Sequence, residues 1–100
     1  QNGIYVIENG QTRHIAQENG LADNVITALA ADSTGAVWIG TASRGVQCWQ
    51  NGMLTKHLTD ATGLSSNAVS SLIVHRNGTL WIGTGNGLHR FTNDGLTLFN

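Results

Sequence analysis

The chain has 100 residues and a mass of 10.6 kDa, which suits one small domain. Five Lys and Arg residues against six Asp and Glu residues give a net charge of −1, which excludes the basic excess of a general nucleic-acid binder. Hydrophobic residues make up 40% of the chain and charged residues only 11%, and this composition excludes a disordered tail. Thirteen Gly, ten Asn and no Pro predict short strands and tight turns.

Membrane insertion and disulfide bonding find no support in the sequence. No run approaches the roughly 18 apolar residues of a membrane span, and residues 1–10 lack a basic region followed by an apolar stretch. Cys48 stands alone and has no partner for an internal disulfide. We therefore expect this segment not to insert into a membrane, and packing and hydrogen bonds to stabilise it.

All predicted elements are strands, and tight turns separate them. A pair comes first and two sets of four follow, each set reading as an antiparallel meander. No segment has sustained helical periodicity, so we expect essentially no helix. In chain order the predicted strands are 4–7 and 11–15, then 25–31, 36–41, 46–50 and 53–58, then 68–75, 79–84, 88–92 and 96–99.

The two sets of four strands are an internal repeat. A shift of 43 places residues 20–42 over residues 63–85 with nine identities, and the offset becomes 42 where Gly45 meets Gly87. The same offset places Gly3 on Gly45, so the chain starts partway through a unit. We expect a half unit over 1–19 and full units over 20–62 and 63–100.

Asn-Gly pairs mark most of the expected turns. Both residue types tolerate the positive φ that primed hairpin turns require. The alternative, a glycine loop that cradles phosphate, lacks a P-loop pattern ending in GKS or GKT. The six pairs begin at Asn2, Asn9, Asn19, Asn51, Asn77 and Asn86, and Asp94-Gly95 is a related pair.

The repeated motif G-L-x-x-N, an apolar strand and then G-x-h-W-I-G-T-x-x-G resembles the two-component regulator propeller repeat. Residues 63–91 match closely and residues 20–49 more loosely. Ala22 and Ser65 stand where the family often has proline, and Arg44 is an extra residue. The resemblance implies an all-β fold of β-propeller blades, each a four-stranded antiparallel meander. It also implies a periplasmic or extracytoplasmic place in bacterial sensors such as hybrid histidine kinases.

Each W-I-G-T motif puts a large indole and a bare glycine on one face of a strand, because strand side chains alternate. We expect Trp38 with Gly40, and Trp81 with Gly83, to pack between successive blades. A carbohydrate stacking platform is the alternative. We also expect Trp49 and the equivalent Phe91 of the next unit to pack between blades, but with a larger exposed fraction than Trp38 and Trp81.

Catalytic and metal-binding patterns are not evident. The four histidines, His14, His57, His75 and His89, have no short ligand spacing, and the carboxylates form no close pair along the chain. Asp32 to Gly35 lacks the alternating acids of a calcium loop and is interpreted as a turn. We predict no catalytic residue, no metal and no cofactor.

Topology identifies the candidate binding residues. In a meander, the loop before the first strand and the loop from the second to the third strand lie at the same edge of the sheet, and such loops often carry binding sites. The alternative is that they are solvated turn residues. The candidates are Asp23, Ser43, Arg44, Ser65, Ser66 and Asn86.

Length limits the architecture, because a closed propeller has about four to eight blades. At about 43 residues per blade, this chain supplies about two and a half blades of an incomplete ring. We expect further blades or copies of the chain as partners, and a homo-oligomer when it is isolated. The leading hypothesis is a sensor segment that binds a small polar ligand such as an oligosaccharide. The alternatives are a self-assembling module without a ligand and part of a propeller lyase or hydrolase.

Overall fold

The computed structural model describes residues 4–8, 10–16 and 20–99. Ten strands and one turn of 3-10 helix, Asp60–Thr62, account for the regular structure of these residues. The predicted turn residues Asn2, Asn9 and Asn19 lie outside them. The strands are β1 (Ile4–Glu8), β2 (Gln11–Ile15), β3 (Ile26–Ala31), β4 (Val37–Thr41), β5 (Val46–Gln50), β6 (Met53–Leu58), β7 (Val69–Val74), β8 (Leu80–Thr84), β9 (Gly87–Thr92) and β10 (Gly95–Phe99).

The strands form three antiparallel sheets in which each strand pairs with its neighbour in sequence. The N-terminal sheet is β1-β2, the middle sheet is β3-β4-β5-β6 and the C-terminal sheet is β7-β8-β9-β10. Every strand end lies within one residue of its predicted place. The prediction of an all-β fold of four-stranded blades in an unclosed arrangement is therefore confirmed. Inner strands β3 and β7 lie beside each other, and the Thr27 hydroxyl donates to the Val69 carbonyl at 2.6 Å.

The Asn-Gly pairs do not all form the same turn. Asn51 and Gly52 have φ values of 54° and 83°, as a type I′ hairpin turn requires. At the β7–β8 turn only Gly78 has positive φ, at 93°. Asn77 instead accepts the Thr79 N–H on its side-chain oxygen at 3.0 Å, so its role there is that of an Asx turn.

Two apolar cores lie between the three sheets, and a tryptophan of the middle sheet lies in each. Trp49 packs with Ile4 and Ile15 of the N-terminal sheet. Trp38 packs on the opposite side with the C-terminal sheet, where its ring meets the Phe91 ring edge to face at 5.6 Å between centroids. Trp38, Trp49 and Phe91 therefore fill the space between sheets, as expected.

Gly40 allows the middle and C-terminal sheets to approach closely. A Cβ atom built at Gly40 would lie 2.6 Å from Cγ1 of Val69 and 3.4 Å from Cβ of Ala28. This separation is far below van der Waals contact, so only glycine fits beside the Trp38 indole without a shift of the neighbouring sheet. At Gly83 the equivalent atom would collide with Ser71 of its own sheet instead.

The two outer ends of the stack leave apolar side chains exposed. Leu29 and Leu72 are equivalent in the repeat, but Leu29 is 52% exposed and Leu72 only 8%. Leu72 packs against the middle sheet, whereas Leu29 faces the N-terminal sheet, of which the described residues form two strands. At the other end, Trp81 is half-buried rather than enclosed by a further sheet, and its ring contacts Phe99 at 5.6 Å.

Side chains around Trp81 form what we call the open face, consisting of Ile73, Trp81, Leu88 and Phe99. Register places Ile73 opposite Trp81, and Leu88 opposite Phe99. The corresponding pair of the middle sheet is Val46 and Leu58, and both of these are buried beneath the C-terminal sheet. The described part of the chain holds no helix with the length and apolar character needed to cross a membrane.

Candidate functional site

The loops with the predicted binding residues gather at one edge of the stack, which we call the loop edge. In the middle sheet, the loop before β3 and the β4–β5 loop lie next to each other at this edge. One carboxylate oxygen of Asp23 accepts the Val25 N–H at 3.0 Å, and the other accepts the N–H and hydroxyl of Ser43 at 3.1 and 2.9 Å. Asp23 therefore clamps two loops that are 20 residues apart.

The C-terminal sheet has a corresponding clamp made from different atoms. The Ser65 hydroxyl donates to the Asn86 carbonyl at 3.1 Å, and the Asn86 side-chain amide donates to the Ser65 carbonyl at 3.3 Å. The Ser66 hydroxyl accepts the Ala68 N–H at 3.1 Å within its own loop. All three predicted residues of this unit thus lie together at the loop edge.

Arg44 is the cation of the loop edge. Its backbone is fixed, because its N–H donates to the Thr41 hydroxyl at 3.0 Å and its carbonyl accepts from Nε2 of His57 at 2.8 Å. The next residue, Gly45, donates its N–H to the Asn67 carbonyl at 2.9 Å, which links the loops of the two sheets. The side chain of Arg44 is exposed on this rigid backbone.

The pKa of the Asp23 carboxyl is held below its usual value. The Val25 N–H is the main cause, and the Ser43 hydroxyl, the Ser43 N–H and the Arg44 charge act in the same direction against a smaller effect of burial. The loop edge therefore carries the fixed negative charge of Asp23 beside the positive charge of Arg44, together with several hydroxyl and amide groups.

Two buried polar residues support these loops from below, and the sequence analysis predicted this role for neither of them. Gln47 accepts the Ala22 N–H at 2.8 Å and donates to the Gly20 carbonyl at 3.1 Å. His89 accepts the Ser65 N–H on Nε2 at 3.0 Å and is fully buried. The offset of 42 that aligns Gly45 with Gly87 also aligns Gln47 with His89. The repeat alignment therefore already showed that two polar residues occupy equivalent positions in β5 and β9.

His89 has a titration that differs from that of a solvated histidine. Burial lowers the pKa of its imidazole, and the nearby Ile82 carbonyl opposes this effect only in part. A neutral ring is also what the geometry needs, since Nε2 accepts a backbone N–H. His89 is therefore a neutral loop anchor rather than a ligand-facing group.

An open groove of about 740 Å³ separates the outer strands of the N-terminal and middle sheets. His14 and His57, which are equivalent in the repeat, both line it, together with Trp49 and Lys56. Nowhere in residues 4–8, 10–16 and 20–99 do three His, Cys, Asp or Glu side chains form a group that could hold a metal ion.

A family model matches two segments of the sequence. The model of the two component regulator propeller matches residues 20–43 and 63–86, the two segments that the internal alignment superimposes. A search among curated proteins found no match.

The solved structures that are similar to the chain include an extracellular sensor domain and a lyase. The extracellular domain of a hybrid two component system from B. thetaiotaomicron aligns with 99% of the chain at 28% identity and a TM-score of 0.82, and the chain spans 14% of its length. Virginiamycin B lyase from Staphylococcus aureus aligns with 76% of the chain at 18% identity and a TM-score of 0.63, and 27% of the lyase is covered. The lyase shows the propeller fold alone, whereas the matched segments of this chain are two repeats of the two-component regulator propeller family.

Proposed function

We propose that the chain is a segment of the extracytoplasmic region of a bacterial two-component sensor and that its loop edge binds a small polar ligand. An oligosaccharide fits best with hydroxyl, amide and charged groups spread over an open edge. The segment has no catalytic activity of its own. A conformational signal would pass through parts of the longer protein to a separate output domain.

One comparison carries this proposal. The extracellular domain from B. thetaiotaomicron aligns with nearly the whole chain, and the chain spans 14% of it. A segment of that size supplies only some blades of a ring, so the sensor activity belongs to a longer assembly. An extracytoplasmic location, the periplasm in a Gram-negative cell, is proposed on the same ground.

The loop edge is the favoured binding surface because its backbone is fixed while its side chains stay accessible. Asp23 ties two loops of one unit together, and Gly45 ties that unit to the next through Asn67. Arg44 projects from this rigid backbone as an exposed guanidinium. Loops held on a rigid scaffold are a frequent place for recognition, since little ordering entropy is lost on binding.

Further propeller blades are the proposed partners. The open face presents Ile73, Leu88 and Phe99 to solvent, and the equivalent positions of the middle sheet are covered by a neighbouring sheet. At the opposite end of the stack, a further sheet would bury the exposed side chain of Leu29. In the longer protein these surfaces would bury against blades on either side, whereas isolated chains would associate with each other through them.

A self-assembling module without a ligand is the second candidate, and the same exposed surfaces favour it. A lyase or hydrolase activity has less support, because the similarity to virginiamycin B lyase is 18% identity over a common fold. The two main candidates differ in a single respect, namely whether the loop edge binds anything.

Calorimetric titration of the chain with a panel of neutral and charged oligosaccharides tests this proposal. The variant R44A removes the exposed guanidinium and leaves the backbone bonds of residue 44 in place, so it should weaken binding about tenfold. The matched control is R76A, which removes an exposed cation from the β7–β8 turn at the opposite edge. Binding that R44A and R76A reduce equally, or no binding by any member of the panel, would contradict the loop edge as the ligand site.

A further inference from the structure

His89 lies between the middle and C-terminal sheets, directly beneath the loop edge. It shares one face of β9 with Phe91, whose ring packs on Trp38 of the middle sheet. The imidazole is fully buried, and its Nε2 accepts the Ser65 N–H at 3.0 Å. Because Nε2 is an acceptor here, the neutral ring carries its hydrogen on Nδ1. The bond to Ser65 therefore requires this tautomer of the uncharged ring.

In the described part of the chain, the surroundings of His89 offer no charge that would stabilise a positive ring. β7, β8 and β10 contain no ionisable side chain, and Ile82 and Leu98 stand opposite His89 in register. Burial lowers the pKa of His89 and the Ile82 carbonyl opposes this in part, with no contribution from a charged group among these residues. Nδ1 is buried without a hydrogen bond of good geometry.

The other segments around His89 keep their charges at the surface. Burial raises the pKa of the Cys48 thiol in β5, so this group stays neutral. The remaining ionisable side chains of the neighbouring segments are all exposed, and they are Arg44, Lys56, His57, Asp60 and Arg90.

Protonation of the ring would place a second hydrogen on Nε2, where it meets the Ser65 N–H. Two donors would then face each other, and a charged ring would be held in an apolar interior without an acceptor. Moving the loop away from His89 would expose the ring to solvent and remove both costs. Acid therefore favours an arrangement in which Ser65 no longer contacts the imidazole.

Only a short part of the loop before β7 is free to move in this way. Leu64 is buried in the core between the two sheets. Asn67 is also fixed, because its carbonyl accepts the Gly45 N–H at 2.9 Å. Residues 65 and 66 lie between these two fixed points, and the hydroxyl and carbonyl of Ser65 are bonded to Asn86. Release of Ser65 from His89 would therefore act directly on the clamp of the C-terminal sheet.

We propose that His89 is a proton-sensitive switch that opens the Ser65–Asn86 clamp of the loop edge in acid. At neutral pH the uncharged ring holds the Ser65 N–H and the clamp is closed. The clamp made by Asp23 in the middle sheet stays closed in acid, because the amide of Gln47 holds its loop and does not titrate. The switch does not require a ligand at the loop edge, so it stands independently of the proposed function.

Linkage gives the direction and the size of the effect. In the open form His89 is solvated and titrates near the ordinary value of 6.5, whereas in the closed form its pKa is lower. The closed form is therefore fully stabilised above about pH 6.5 and loses this stabilisation as the pH falls toward its own pKa. Between these two values the ratio of open to closed clamps should rise about tenfold for each pH unit.

Hydrogen exchange of the Ser65 backbone amide, followed by NMR and corrected for the intrinsic exchange rate, measures this ratio. The Ala22 amide is an internal control, since Gln47 accepts it from the equivalent position in the middle sheet. Between about pH 7.5 and about pH 5, we expect the protection of Ser65 to fall about tenfold relative to that of Ala22. Equal falls at both amides would show unfolding of the whole chain and would overturn the proposal.

Two variants and one ring measurement assign the effect to His89. H89Q supplies a side-chain oxygen that does not titrate, so the protection of Ser65 should no longer depend on pH beyond that of Ala22. H75Q removes an exposed histidine from the β7–β8 turn at the opposite edge and should leave the pH dependence as in the parent chain. In the parent chain, the ¹⁵N shifts of His89 at about pH 8 should identify Nε2 as the nitrogen without hydrogen. A hydrogen on Nε2 at this pH, or full pH dependence in H89Q, would contradict the switch.

Discussion

Gln47 and His89 occupy the same position in successive sheets, and each holds the loop before the first strand of its own sheet. Gln47 accepts the Ala22 N–H, and His89 accepts the Ser65 N–H. Both side chains are buried beneath the loop edge. An amide does not titrate, whereas an imidazole titrates near neutral pH, so of these two anchors His89 is the one that responds to pH.

This difference predicts a pH-dependent stability. Burial lowers the pKa of His89 in the folded chain below the ordinary value of 6.5, so the unfolded chain takes up the proton more readily. The stabilisation is therefore complete above about pH 6.5 and is lost as the pH falls toward the folded-state pKa. Urea unfolding at about pH 8 and about pH 5 should give a smaller free energy of unfolding in acid, with the loss assigned to His89 by the variants below.

Reciprocal substitutions separate His89 from the other titrating groups. H89Q copies the residue of the middle sheet, so it should keep the loop bond and reduce the loss of stability in acid. Q47H should increase that loss, because a second buried imidazole then lies beneath the Ala22 N–H. If H89Q keeps the full acid sensitivity of the parent chain, another group is responsible and the assignment to His89 is wrong.

The repeat pattern predicts the strands well because turn residues and alternation are local properties. Every strand end lies within a residue of its expected place, and the Asp32 turn forms as expected. The pattern predicts burial less well, because burial depends on neighbours. Leu29 and Leu72 are the same residue at the same repeat position, but only Leu72 has a complete sheet packed against it.

Contacts in the candidate site were harder to predict because they join side chains and backbone groups that are distant in sequence. Topology correctly places the loops of Asp23 and Ser43 at one edge, but it does not give the hydrogen bond between them. The loop-anchoring role of Gln47 and His89 was not predicted, because a polar residue in a strand is ordinarily interpreted as facing solvent and His89 was considered only as a metal ligand. The 3-10 turn after β6 depends on the Thr59 capping box, which lies in a segment that carries no repeated motif.

Gly40 should tolerate no side chain. In G40A the new methyl group would overlap Val69 of the neighbouring sheet, and the sheets would have to separate locally. We expect a loss of about 1–3 kcal/mol in the free energy of unfolding, as for other overpacked cores. Denaturant unfolding of the single variant measures this loss.

Two further variants assign the loss at Gly40 to the contact itself. G85A is the control, because its Cβ would meet only the Ser66 hydroxyl at 3.8 Å and its φ is not in the left-handed region, so its stability should stay near that of the parent. V69A removes the opposing methyl groups, and G40A should then cost less in the V69A background. Additive losses in the double variant would show that Val69 is not what Gly40 accommodates.

The open face should drive self-association of the isolated chain. I73K places a charge beside Trp81 at a position that is already exposed, so we expect light scattering to show a smaller average mass with little change in unfolding. M53K adds the same charge at the exposed first residue of β6, away from the open face, and should associate as the parent chain does. A parent chain that is monomeric at micromolar concentration would contradict this prediction.

Asp23 should keep the loop edge ordered. In D23N one acceptor oxygen becomes an NH2 group, which opposes either the Val25 N–H or the Ser43 N–H. Exchange of the backbone amide hydrogens of these two residues should therefore become several times faster, because local opening of the clamp is less costly. D94N removes an exposed carboxylate from the β9–β10 turn at the opposite edge and should leave both exchange rates unchanged. Equal exchange in D23N and the parent chain would mean that the backbone alone orders these loops.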